Sequence, residues 1–185
     1  LRMYATATGT NIVFHWYKNG TLLGNAIAGD VVSVVDAKTK ISAYTLPSAQ
    51  LGDGGDYYVK ISGDCKPDVL VGPIKVTIDT PPLITGKSQS PLEVCEGSPF
   101  TLSVTATGTN LVYLWEKFNP ITTPPVWMPV GTNASSYTVN SALKIDQGKY
   151  RVTVTGKCGG PIQQTEFDVI VNIKPYIIYA SDDTL

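Results

Sequence analysis

Asp53-Gly54-Gly55-Asp56-Tyr57-Tyr58-Val59-Lys60-Ile61-Ser62-Gly63-Asp64-Cys65 returns 93 residues later as Asp146-Gln147-Gly148-Lys149-Tyr150-Arg151-Val152-Thr153-Val154-Thr155-Gly156-Lys157-Cys158. Upstream, Ala5-Thr6-Ala7-Thr8-Gly9-Thr10-Asn11-Ile12-Val13-Phe14-His15-Trp16 returns at an offset of 99 as Val104-Thr105-Ala106-Thr107-Gly108-Thr109-Asn110-Leu111-Val112-Tyr113-Leu114-Trp115. The first copy therefore holds six more residues than the second between its Trp and its Gly-x-Tyr. Self-similarity at so long a period marks tandem structural units.

The alternation within each copy has period 2, the period of a strand with one buried face. Ile12, Phe14 and Trp16 fall on one side, and Val13, His15 and Tyr17 on the other. Leu102, Val104 and Ala106 alternate with Thr and Ser, as do Met3, Ala5 and Ala7. Val59 and Ile61, Val152 and Val154, Ile74, Val76 and Ile78, and Phe167, Val169 and Val171 follow suit. Helical spacing is absent. Tyr17-Lys18-Asn19-Gly20-Thr21-Leu22 predicts a hairpin, because Asn-Gly accepts the positive φ angles of a type I′ turn.

Composition narrows the function classes. Of the 185 residues, 16% are charged, and Lys+Arg 14 against Asp+Glu 15 leaves a net charge of -1. No positive field is available for nucleic acid. Hydrophobic residues at 43% supply a core, and no apolar run approaches the ~18 residues of a membrane span. Leu1 is not a natural start, so the sequence reads as an internal fragment.

Short strands, frequent turns and one early Trp per copy point to β-sandwiches. With its D-x-G-x-Y corner and core Trp, the sequence resembles the immunoglobulin superfamily. The resemblance implies an all-β fold of two tandem immunoglobulin-like β-sandwiches, the first lacking its own strand A. It puts Trp16 and Trp115 on strand C, and makes Tyr57 and Tyr150 the tyrosine corners at the entrance to strand F. Such a Tyr hydroxyl can bond backbone groups left unpaired where the chain crosses between sheets. The family's antibody branch has Cys two residues after that Tyr; here Val59 and Val152 stand there.

The Cys95-Glu96-Gly97-Ser98 start and the Gly156-Lys157-Cys158 finish resemble repeats of very large Bacteroidetes cell-surface and secreted proteins. Gliding-motility adhesins of the SprB type are the nearest in pattern. That resemblance implies a disulfide between Cys95 and Cys158 tying one end of the sandwich, with Cys65 as an unpaired thiol. It also implies a secreted, oxidising compartment. The expected units are residues 1–79, a first repeat that starts after its own first strand, 80–172, a complete repeat, and 173–185, the first strand of a following one. Strand exchange between copies through 173–185 follows as an expectation, because a sandwich without its opening strand exposes an edge.

Few residues suggest chemistry. The lone His15 lies on the outward side of its strand with no Ser or Cys motif beside it. Gly52-Asp53-Gly54-Gly55 serves a turn, since no helix N-terminus follows to bind phosphate. Asp53 with Asp56, and Asp182 with Asp183, fall short of the oxygens a calcium site needs. Three cysteines and one histidine without C-x-x-C do not make a zinc site. The reading is therefore a non-enzymatic spacer without catalytic residue, metal or cofactor. Its partners are neighbouring repeats and, as candidates, a surface polysaccharide or protein. The copies differ most between the Trp and the corner. There the second carries Phe118-Asn119-Pro120-Ile121-Thr122-Thr123-Pro124-Pro125-Val126-Trp127-Met128-Pro129, and the first a Gly24/Gly29 pair. Trp127 and Met128 are the candidate ligand contacts, as large apolar groups outside the repeated core pattern. Exposed together they favour a carbohydrate- or protein-binding module of a secreted enzyme or receptor; buried, they favour a spacer. Asp79-Thr80-Pro81-Pro82, matched by Ile173-Lys174-Pro175, reads as a short, stiff joint.

Overall fold

The computed structural model describes residues 1–23, 31–36, 38–160 and 162–176, excepting the side chains of 31–36. Gly24, Gly29, Asp182, Asp183 and most of the 173–185 segment thus lie outside the described residues. The chain forms two compact units, Leu1–Ile78 and Asp79–Leu185. The first contains strands β1 (Arg2–Thr8), β2 (Val13–Lys18), β3 (Thr21–Leu22), β4 (Val31–Asp36), β5 (Thr39–Thr45), β6 (Gly55–Ser62) and β7 (Val69–Val76), with a 3-10 turn at Leu51–Asp53. The second contains β8 (Leu83–Lys87), β9 (Leu92–Cys95), β10 (Phe100–Thr107), β11 (Val112–Asn119), β12 (Val126–Val130), β13 (Ser136–Val139), β14 (Gly148–Thr155) and β15 (Gln163–Asn172), with a 3-10 turn at Lys144–Asp146.

Each unit is a two-sheet sandwich. In unit 1 the sheets run β1-β5-β4 and β3-β2-β6-β7; in unit 2 they run β13-β10-β8 and β12-β11-β14-β15-β9. Among the described residues all strand pairs are antiparallel except β9 with β15. The core of unit 2 joins Phe100, Leu102 and Val104 to Trp115, Tyr150, Val152, Val154, Phe167, Val169 and Val171 across the two sheets. Unit 1 does the same with Met3, Trp16, Tyr57, Val59 and Val76. These are the alternate residues of their strands, as a pleat with one face toward the core requires. Trp16 and Trp115 are sealed inside, yet each indole N–H has an acceptor: Ser42 Oγ at 3.1 Å and the Ala134 carbonyl at 2.8 Å. Burying the rings therefore strands no donor. Among the described residues unit 1 has no counterpart of β8 and β9.

The repeated pentapeptide has one local structure in both copies. The Asp53 carboxylate accepts the Gln50 N–H at 2.7 Å, and the Asp146 carboxylate accepts the Leu143 N–H at 2.8 Å, closing the 3-10 turn. The backbone carbonyl of that same Asp accepts the Tyr hydroxyl, Tyr57 to Asp53 and Tyr150 to Asp146, each at 2.7 Å. Between them Gly55 and Gly148 take φ of 148° and 138°, where a Cβ would be strained. Lys18 and Lys117, two residues after each Trp, reach over the two corner rings and donate to the Gly52 and Ile145 carbonyls. The hairpin after β2 has Asn19 at φ 48° and Gly20 at φ 82°, with Lys18 opposite Thr21. Positive φ at both central residues is the I′ signature.

The Cys95–Cys158 bridge is corrected by the strand register. Cys65, Cys95 and Cys158 are all free thiols. Cys95 pairs with Asn172 at the far end of β15, beyond Val169, which faces Gly148 at the start of β14. Cys158 follows the other end of β14, where Thr155 faces Val112. Some ten residues of strand at ~3.3 Å each hold the two apart. A disulfide needs Cα atoms within about 7 Å. The thiols stand at opposite ends of the sandwich because β11 starts where β14 stops, and β10, one strand earlier, starts at the other end.

The prolines of the joint are seated in unit 2. Thr80 and Thr109 exchange bonds, Thr80 N–H to Thr109 Oγ1 at 2.9 Å and Thr109 N–H to the Thr80 carbonyl at 3.1 Å. Lys157 pairs with Asp79 at 2.8 Å. A Cβ on Gly108 would stand 3.0 Å from the Pro81 carbonyl oxygen and from Pro82 Cα, so this close approach uses the missing side chain.

Candidate binding face

Trp127 and Met128 are neighbours on β12, so they point to opposite sides of the sheet. Trp127, opposite Phe118, is half-buried on the outer face of β12-β11-β14-β15. Its ring meets Phe118 at 5.2 Å between centroids, tilted by 53°. The Arg151 guanidinium lies 4.3 Å from the Trp127 centroid, and its Nε donates to the Glu116 carboxylate at 2.6 Å. Glu116 is only 8% exposed. An ordered cation over an indole and a near-buried carboxylate under that cation satisfy one another. Arg151 thus covers one face of the Trp127 ring, and Phe118 packs against it.

Met128 lies on the other side, opposite Lys117, and is 49% exposed. Its sulfur accepts Asn119 Nδ2 at 3.4 Å. It borders an open groove of about 510 Å³ with Lys117, Ile121, Pro129 and Ile145. The structure thus does not bring the two sequence-selected contacts into one patch. Glu116→Ala should destabilise unit 2 by about 1–3 kcal/mol, since it leaves a shielded guanidinium without its acceptor. The double variant with Arg151→Ala should cost less than the sum of the singles; urea melts of the four proteins measure the coupling.

The other selected residues are dispersed. His15 faces outward on β2, opposite Lys60. Among the described residues no group of three or more His, Cys, Asp or Glu stands close enough to hold a metal ion. The Asp53 carboxylate is taken by the turn it closes. Cys65 is exposed in the loop after β6. Among the described residues no helix is long and apolar enough to cross a membrane.

Sequence reading passed over the outer face of unit 1. There an open depression of about 740 Å³ is lined by Tyr17, Tyr58, Leu70, Asp56, Lys60 and the Asn19-Gly20 turn. The signal was available. Tyr17 and Tyr58 occupy the repeat positions that Glu116 and Arg151 hold in the second copy, and both pairs are directly opposite in register.

No family model matches the sequence. The chain is similar to the muscle M-line assembly protein unc-89 of Caenorhabditis elegans, with 31% identity over 157 residues. The match takes in 80% of this chain, which spans 2% of the length of that protein. Among solved structures, DIP-gamma IG1+IG2 superposes with a TM-score of 0.57 at 18% identity, covering 92% of this chain and 89% of that one. Dpr2 Ig1-Ig2 in complex with DIP-Theta Ig1-Ig3 gives a TM-score of 0.58 at 18% identity, over 92% of this chain and 61% of that one. The titin I-band fragment I67-I69 gives 0.58 at 12% identity, over 94% and 60%. The fold is therefore two tandem immunoglobulin-like β-sandwiches.

Proposed function

We propose that this chain is a load-bearing spacer in a large repetitive extracellular adhesin at the cell surface, contributing to adhesion or gliding in the manner of Bacteroidetes gliding-motility adhesins. The β9–β15 pair carries the mechanical part of this reading. Leu92 to Cys95 run parallel to Val169 to Asn172. Tension meets the β8–β10 pair first; what passes it reaches β9 at its first residue and leaves β15 at its last, so it pulls those two strands past each other along their length. All hydrogen bonds of the pair then share the load, whereas an antiparallel hairpin pulled at its open end loses them one at a time. Thr80, Pro81 and Pro82 are held against Thr109 and Gly108, so load enters unit 2 at that contact. The Cys-Glu-Gly-Ser start and Gly-x-Cys finish support the bacterial adhesin assignment by pattern alone.

Single-molecule pulling tests the reading. Once β8 has left β10, the rest of unit 2 should yield in one step, releasing the chain between Leu92 and Asn172, about 270 Å at ~3.4 Å per residue. Val94→Pro places a residue that cannot donate in the middle of the parallel pair. It should lower the unfolding force while leaving the released length nearly unchanged. An unfolding force indifferent to Val94→Pro would remove the mechanical basis of the proposal. The second reading, a carbohydrate- or protein-binding module, is favoured at one place only, the aromatic face of unit 1.

A further inference from the structure

We propose that the outer face of β2-β6-β7 in unit 1 binds a neutral sugar ring of a glycan. The site stands whether or not the chain is a spacer. Its floor is aromatic. Tyr17 and Tyr58 are directly opposite on adjacent strands, so their side chains are close neighbours on one face. Tyr58 also reaches the next strand: a Cβ on Gly72 would stand 2.9 Å from Tyr58 Cδ1. Gly72, at φ 133°, gives the ring room to lie over β7. Leu70, 64% exposed, extends the apolar floor beside them. The depression has the scale of a small-ligand site, about 300–1,000 Å³.

The rim is polar and directional. Asp56 and Asn19 stand at one end, and Lys60 at the other. Asn19 Oδ1 accepts the Asp56 N–H at 2.9 Å, which fixes the amide and turns its two N–H donors away from that bond. Among the described residues neither Asn19 Nδ2 nor the Asp56 carboxylate has a protein partner. The cation here is already matched. Lys60, the lysine of the lining, shares Asp68 with Lys66 at 2.9 and 2.6 Å. The lining therefore offers no unmatched cation to select a phosphate or carboxylate.

A pyranose fits this chemistry. Its C–H face packs on tyrosine rings, and its rim hydroxyls donate to a carboxylate and accept from an amide. Unit 2 supplies the internal contrast. At the same two repeat positions Glu116 and Arg151 bond each other, and Arg151 covers the nearby Trp127. The sugar-facing surface therefore belongs to unit 1, and not to the Trp that its sequence context singles out.

The test titrates the full chain with cellohexaose, xylohexaose, mannohexaose and chitohexaose into the millimolar range, reading backbone and tyrosine NMR shifts. At least one oligosaccharide should saturate shifts confined to Tyr17, Tyr58, Asp56 and Asn19. Tyr17→Ala and Tyr58→Ala should each weaken binding roughly tenfold. Asp56→Asn keeps the shape and removes the charged acceptor, so it should weaken binding without changing the melting temperature. Trp127→Ala should leave affinity unchanged. The proposal is overturned if none of the four shifts these residues, or if binding survives loss of both tyrosines. It is equally overturned if the same resonances shift with protein concentration alone, which would assign the face to a second copy of the chain.

Discussion

Trp115→Ala should bring unit 2 to the edge of unfolding and leave unit 1 folded. The Trp115 ring is 1% exposed and stands 5.6 Å from Phe167 and 6.2 Å from Tyr137, between strands of both sheets. Its removal costs about 3–5 kcal/mol through lost transfer energy and the cavity left behind. It also takes the indole donor from the Ala134 carbonyl, 2.8 Å away. Domains of this size are stable by about 5–15 kcal/mol, so the loss takes a large share of the whole. The core that remains keeps Phe100, Tyr150 and Phe167 beside its aliphatic residues but loses the ring that meets side chains of both sheets. Trp115→Phe, which keeps most of the bulk, should be milder and serves as the control. Proton–nitrogen NMR spectra separate the outcomes. Resonances of Val104, Val152 and Val171 should collapse in the alanine variant while those of Met3, Trp16 and Val59 stay in place. Loss of both sets together would mean that the chain folds as a single cooperative body.

The fold class was legible because it rests on local rules. A two-residue apolar period makes strands, Asn19-Gly20 makes a I′ turn, and a repeat found twice makes two units. The misreadings share a different cause. They concern which end, which face and which distant neighbour, and these depend on strand order. The Cys95–Cys158 pairing comes with the resemblance, and only the strand register places the two thiols at opposite ends of the sandwich. Trp127 and Met128 look like one patch in a linear string, but a pleat separates adjacent residues. The cover over Trp127 comes from Arg151, which follows it by 24 positions and arrives on a strand that pairs with β11, not with β12. The seating of Pro81 and Pro82 on unit 2 depends on Thr109 and Gly108, again far along the chain. Lys18 and Lys117 are different: the Trp-x-Lys spacing is present in both copies, and only the placement of the lysines over the corner rings needs the structure.

That corner makes unit 2 sensitive to alkali. Burial raises the Tyr150 hydroxyl pKa well above its ordinary value of 10.0, with the negative charges of ionised Tyr137 and of Asp146 adding to the effect. Burial and Asp146 raise Tyr137 in the same direction. The folded protein therefore keeps these phenols neutral where the unfolded chain ionises. Stability from this source is intact below pH 10.0. Above it, each such tyrosine removes about 1.4 kcal/mol per pH unit, until the folded pKa is reached. Lys117 works oppositely. Burial lowers its pKa below 10.5, so its charged form weighs against folding at neutral pH. That penalty shrinks as pH rises through the lowered value and is gone above 10.5, after which nothing offsets the tyrosines. Unit 2 should hold its stability to about pH 10 and lose it steeply beyond. Tyr150→Phe separates the hydroxyl's two roles. At neutral pH the variant loses the 2.7 Å bond to the Asp146 carbonyl, worth about 1–2 kcal/mol. In alkali it should decline less steeply, by about 1.4 kcal/mol per pH unit, so the two stability curves approach each other. Urea melts from neutral pH into alkali give both slopes. Parallel curves for the variant and the parent protein would show that Tyr150 ionises equally in the folded and unfolded chain, contrary to its burial beneath Lys117.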